Sequence, residues 1–185
     1  KTFFKDNFQY VAPQKKFLGI SDDGRERYMQ YVPICDSLKA VLNHKAVSSL
    51  LKEMEGVTPS DGVLEDICDG NIFQNHPIFA TDPKALKIIL LQDAFETVNP
   101  LGSGKKKHKV LAVYMTLGNL PAYVRSGIDQ MQLVLLCREK DFKLFGHEAV
   151  FRYLISDLQS IESGGLSLGG GTVLKGGLFA VAGDN

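Results

Sequence analysis

The apolar residues of the chain fall into two patterns. Four stretches are nearly continuous: residues 85–94 around Ile88-Ile89-Leu90-Leu91, residues 110–117, residues 131–137 (MQLVLLC) and residues 173–181. Runs of this length describe strands buried on both faces. Elsewhere the apolar positions recur every three or four residues. In 34–55, Cys35, Leu38, Val41 and Leu42 share one helical face, and Val47, Leu50, Leu51 and Met54 share another, with a break at Asn43-His44. In 148–162, Val150, Phe151, Leu154, Ile155, Leu158 and Ile161 form a single stripe. Asp36 or Ser37 is placed to cap the first helical segment, Gly56 with Pro59 to end it, and Gly164-Gly165 to close the last.

The remaining stretches are punctuation. Residues 8–11 and 28–32 read as short strands about an Asp22-Asp23-Gly24 turn. Residues 57–83 read as a connector, with Phe73, Ile78 and Phe79 as its anchors to a core. Residues 138–146 are polar, with Gly146-His147-Glu148 opening the helix. Residues 166–171 are a glycine-rich loop. Its Gly169-Gly170-Gly171 is no phosphate-binding motif, because no Gly-Lys-Ser/Thr follows and a strand comes next.

The predicted order is strand, strand, strand, helix, strand. Residues 99–102 form a turn and 103–109 a basic tip, Lys105-Lys106-Lys107-His108-Lys109. Strands joined so directly pair antiparallel. The helix then carries the chain across, so that the fourth strand lies parallel to the first through a right-handed crossover. The fold class is α/β. An N-terminal hairpin, helical region and connector (1–83) precede a layered core (84–185).

Two of the apolar runs lead to a carboxylate, Asp93 and Asp184. An unpaired charge cannot stay in a core, so each belongs at a strand end. Parallel neighbours would bring the two acids to one sheet edge, where a divalent cation relieves their repulsion. Glu96 is close enough in sequence to be an auxiliary ligand. The basic tip is either a solubilising surface or a phosphate contact made by Lys105, Lys106, Lys107 and Lys109. Asp157 reads as a structural or solvent-facing helix charge and His44 as a surface residue. The connector's Asp61, Glu65, Asp66, Asp69, Cys68 and His76 fit no metal-ligand spacing and read as a solvated acidic loop.

Composition narrows the picture in a few places. Lys plus Arg and Asp plus Glu each number 21, so overall charge does not select a polyanion partner. The three cysteines, Cys35, Cys68 and Cys137, are dispersed among apolar neighbours and read as buried, reduced thiols of an intracellular protein. No apolar run approaches the roughly 20 residues that span a membrane, and no signal peptide is evident. With Lys1 first and Asn185 last, the chain reads as a piece of a longer polypeptide.

The words around these acids carry a resemblance. DAFETVNPLG, followed by VLAVYMTLGNLP, resembles the catalytic segment of CACTA (En/Spm-type) DDE transposases. In that family a strand ending in Asp-Gly-Phe/Val-Asn-Pro-Phe-Gly precedes a strand leading into Asn-Leu-Pro. Leu154-Ile155-Ser156-Asp157-Leu158 is similar to the family's Leu-Ile-x-Asp-Leu helix, and 179–184 to its final strand ending in aspartate. The likeness covers roughly 83–185 and extends to transposase-derived proteins of animal genomes. It implies a partial RNase H-like fold. Asp93 and Asp184 would be the first two acids, holding Mg²⁺ or Mn²⁺ for DNA strand cleavage and transfer in a nuclear parent protein, with room for a homo-oligomer. The third acid would lie on a later helix, so this piece alone would not cut DNA. One departure is clear: Ala94-Phe95-Glu96-Thr97-Val98 replaces the family's tight glycine motif. A domesticated DNA- or protein-binding module and an unrelated α/β domain are the alternatives.

Overall fold

The structure, a computed structural model, describes residues 10–54, 64–97 and 109–183. Its centre is a six-stranded mixed sheet in the order β1-β2-β5-β4-β3-β8. The strands are β1 (Gln14–Ile20), β2 (Glu26–Tyr31), β3 (Leu86–Glu96), β4 (Lys109–Leu117), β5 (Gln132–Arg138) and β8 (Gly176–Gly183). A separate two-stranded hairpin, β6 (Leu166–Gly169) with β7 (Thr172–Leu174), precedes β8. The helices are α1 (Ile34–Leu42), α2 (Lys45–Met54), the single turns α3 (Asn71–Gln74) and α4 (Ala122–Arg125), and the long α5 (Glu139–Gly164).

The expected core order is present. β3, β4 and β5 form an antiparallel meander, and α5 carries the chain to β8, which pairs with β3 in parallel. The pleat sends alternate residues to opposite faces. On β3 and β4 the first set is Leu86, Ile88, Leu90, Val113, Met115 and Leu117. These pack in one cluster with Val150, Leu154, Leu158 and Ile161, the inner stripe of α5. The other set on β3 includes Lys87, Ile89, Leu91 and Asp93. At its start this second face is covered by the connector, where Phe73 and Phe79 stack with ring centroids 6.1 Å apart and both meet Phe179 of β8.

Several expectations need correcting. The first strand is Gln14–Ile20, not 8–11: Tyr10 and Val11 are not in a strand, and residues 8 and 9 lie outside the described residues. β1 and β2 pair as an antiparallel hairpin that extends the sheet beyond β5. The polar stretch 138–146 is helical from Glu139, with a break only at Gly146, whose φ of 76° is open to glycine at little cost. Arg138 secures that first turn by holding the buried Asp141 at 2.6 Å. The stretch 166–171 is not a loop but most of the β6–β7 hairpin. The expected strand 173–181 is interrupted at Lys175, because β7 pairs with β6 and β8 with β3.

Neither Asp36 nor Ser37 caps α1. The helix starts at Ile34, and Pro33, its N-cap, offers no side-chain hydrogen bond. The acceptor comes from α5: the Asp157 carboxylate takes the Ile34 N–H at 3.2 Å and the Tyr31 hydroxyl at 2.6 Å. One acid thereby joins β2, α1 and α5. Burial, and then the bond to Asp157, push the Tyr31 phenol well above its ordinary range. Asp157→Ala orphans a mostly buried hydroxyl and a helix N-terminus, and is expected to cost about 2 kcal/mol in urea unfolding followed by far-ultraviolet circular dichroism. Tyr31→Phe, which leaves the cap in place, is expected to cost about half as much.

Candidate functional site

The site is built from the pairing of β3 with β8. The parallel register runs to Gln92 opposite Gly183, the residues immediately before Asp93 and Asp184 in the chain. The strands come very close here: a Cβ on Gly183 would lie 3.0 Å from the Gln92 carbonyl oxygen. Glycine is what permits this approach.

Asp93 does not stand past the end of its strand. β3 continues to Glu96, paired among the described residues with β4 alone over its last four residues, and Asp93 lies opposite Ala112. The aspartate is exposed at the level where the described pairing with β8 ends. Its carboxylate is a hard oxygen donor of the type that suits Mg²⁺ or Mn²⁺. Asp184 lies outside the described residues, as do Lys105, Lys106 and Lys107. Glu96 is not an auxiliary ligand. It sits three residues from Asp93 on an unbroken strand and so points to the other face, where its register partner is Lys109. Among the described residues no group of three or more His, Cys, Asp or Glu side chains is placed to hold a metal ion.

The connector's acids are occupied locally. Asp69 accepts the N–H groups of Glu65 and Asp66 at 2.7 and 2.8 Å, and Asp66 caps the following turn and pairs with Arg125. His76 stacks on Phe79 at 4.2 Å while its Nδ1 accepts the Ile78 N–H. These contacts fold the connector over the sheet and, among the described residues, leave no ligand set there; Asp61 lies outside the described residues. His44 is exposed, as expected. It stands at a cleft of about 740 Å³ between the N-terminal segment, α1 and the start of β5, which contains none of the predicted site residues.

Two residues at the start of β3, the strand that carries Asp93, were not singled out from sequence. Lys87 interrupts the apolar run of β3 and is 3% exposed. Its Nζ donates to the Pro83 carbonyl at 2.7 Å and lies 5.1 Å from the Phe73 ring centroid. A lysine immediately before Ile-Ile-Leu-Leu was the available signal. Asn119, in the Asn-Leu-Pro turn, pins β3: its Oδ1 accepts the Lys87 N–H at 2.7 Å and its Nδ2 donates to the Ala85 carbonyl at 3.0 Å. That turn therefore has a structural function in this chain.

No family model, curated protein or solved structure matches the chain.

The buried ionisable groups set opposite pH dependences. Desolvation lowers the Lys87 pKa, so the unfolded chain binds the extra proton and folding gains from this group as pH rises toward 10.5. Burial raises Cys35 and Cys68 and pushes Cys137 up to about 11, so stability from the thiols is lost as pH rises above 9. Denaturant midpoints measured from pH 8 to 11 are expected to fall for the wild type. In Lys87→Met they should fall more steeply, since the opposing contribution is gone.

Proposed function

We propose that the chain is part of a DDE-type nuclease core with an RNase H-like fold, serving DNA strand cleavage and transfer in its parent protein. The observation that carries this reading is the parallel β3–β8 pair, whose described register runs to Gln92 and Gly183, the residues just before Asp93 and Asp184 in the chain. The order β5-β4-β3-β8, with α5 as the crossover, is that of the fold the resemblance implies. One further step of the same register would set the two acids side by side on one face. A divalent ion held there would activate water or a 3′-hydroxyl and stabilise the leaving oxygen. The protein's part is to hold Asp93 on a strand paired on both sides up to Gln92, which side-by-side hydrogen bonding holds more firmly than a loop would. A third acid, Mg²⁺ or Mn²⁺, a DNA partner and a nuclear location belong to the same proposal.

One observation favours a second reading, a domesticated DNA- or protein-binding module without chemistry. β3 runs on through Ala94, Phe95 and Glu96 where the family turns at a glycine. Manganese titration of the isotope-labelled chain separates the two. The nuclease reading expects selective paramagnetic broadening of the Gln92, Asp93 and Gly183 amides, lost in Asp93→Asn and in Asp184→Asn. Asp93 is exposed, so its amide variant should fold normally. Broadening that is diffuse, or indifferent to both substitutions, removes the metal site and with it the catalytic reading.

A further inference from the structure

The cleft beside His44 is walled by separate parts of the chain: the segment before β1, one face of α1, and the stretch from the turn Ile128–Gln130 into β5. α1 divides its residues between two surfaces. Ile34, Leu38 and Leu42 go to the core. Ser37, Ala40 and Val41, at helical spacing, line the cleft, and His44 follows just past the helix. The volume of about 740 Å³ is that of an ordinary small-molecule site. The walls are largely apolar, with Val11, Val32, Val47 and Leu133 each supplied by a different part of the fold.

Two polar groups on these walls have unused bonding capacity. Ser37 is 5% exposed, yet its hydroxyl has no hydrogen-bond partner among the described residues. A buried hydroxyl in that state is costly. Among the described residues no fully enclosed side-chain oxygen or nitrogen lacks a partner, so the Ser37 oxygen meets its surroundings through the cleft it lines. The second group is Asp129. Its Oδ2 accepts the Gln130 Nε2 at 3.0 Å, while its Oδ1 has no donor among the described residues. Asp129 is the only carboxylate among the described lining residues, and no Lys or Arg stands with it. A carboxylate with a free oxygen beside an apolar wall, and no cation to offset it, selects for positive charge.

We infer that this cleft binds a small organic cation: an ammonium group against Asp129, an apolar body along the valine and leucine wall, and a hydrogen bond to Ser37. An anion would meet Asp129 with nothing to neutralise it. A wholly apolar occupant would leave both Ser37 and the carboxylate dry and unpaired. The site shares no residue with the position proposed for metal at Asp93 and does not rest on the proposed function.

The test is titration of the isotope-labelled chain with tyramine, with its uncharged counterpart tyrosol, and with hydroxyphenylpropanoate, which carries a carboxylate in place of the amine. Tyramine is expected to give saturating amide shifts at Val11, Ala40, Val41 and Leu133 below about 10 mM, and to bind about fivefold more tightly than tyrosol. Asp129→Asn, at an exposed position, should bring the two within about twofold of each other. Ser37→Ala should weaken tyramine about fivefold. If that variant unfolds, the Asp129 comparison decides alone. The inference is overturned by an absence of saturating shifts at these residues, by carboxylate binding as tight as that of the amine, or by a preference for tyramine that survives Asp129→Asn. Tyramine binding untouched by a folded Ser37→Ala overturns it as well.

Discussion

Parallel strands cannot be joined by a tight turn, and most of this architecture follows from that constraint. β8 must run alongside β3 in the same direction, so the chain has to travel the length of the sheet between β5 and β8. The 26 residues of α5 make that journey and bury Val150, Leu154, Leu158 and Ile161 on the sheet as they do so. Having been laid across β3 and β4, the helix becomes the surface on which α1 rests. Asp157 then fixes β2 and α1 to it by two hydrogen bonds. The N-terminal segment and the later strands are thus parts of one core.

The connector completes the other face. Its acids satisfy its own backbone and Arg125, and its aromatic residues close over the first half of β3. Lys87 is trapped beneath them, its ammonium satisfied by the Pro83 carbonyl and the Phe73 ring. Among the described residues that cover lies over the first half of β3, and Asp93 is exposed beyond it, with the paired backbone of β4 beside it. A carboxylate presented on a hydrogen-bonded strand at the rim of a covered sheet can meet a cation or a polar partner without first leaving a core.

Much of this could be read from the order of residues. The four apolar runs identified β3, β4, β5 and β8, and their connections gave their directions. What escaped detection has identifiable causes. β1 carries Lys15 and Lys16 because it is an edge strand, and charge hides the apolar alternation there. The first turns of α5 looked polar because the apolar positions packed on the core, Phe142 and Phe145, are few, and its buried acid, Asp141, is neutralised by Arg138, a partner outside the helix. Glycines made the β6–β7 hairpin look like a loop. The position of Asp93 was legible as an acid after an apolar run, but the continuation of β3 to Glu96 was not, since only pairing with β4 sustains it. Tertiary partnerships such as Asp157 with Ile34 leave no trace in local spacing.

Everything said of the site depends on β3 and β8 being adjacent, parallel and in the stated register. Interstrand nuclear Overhauser effects between backbone protons test this directly. The account predicts a parallel pattern linking Ile88 to Leu178, Leu90 to Val181 and Gln92 to Gly183. An antiparallel pattern, a register shifted by one residue, or no contact between the two strands would contradict it.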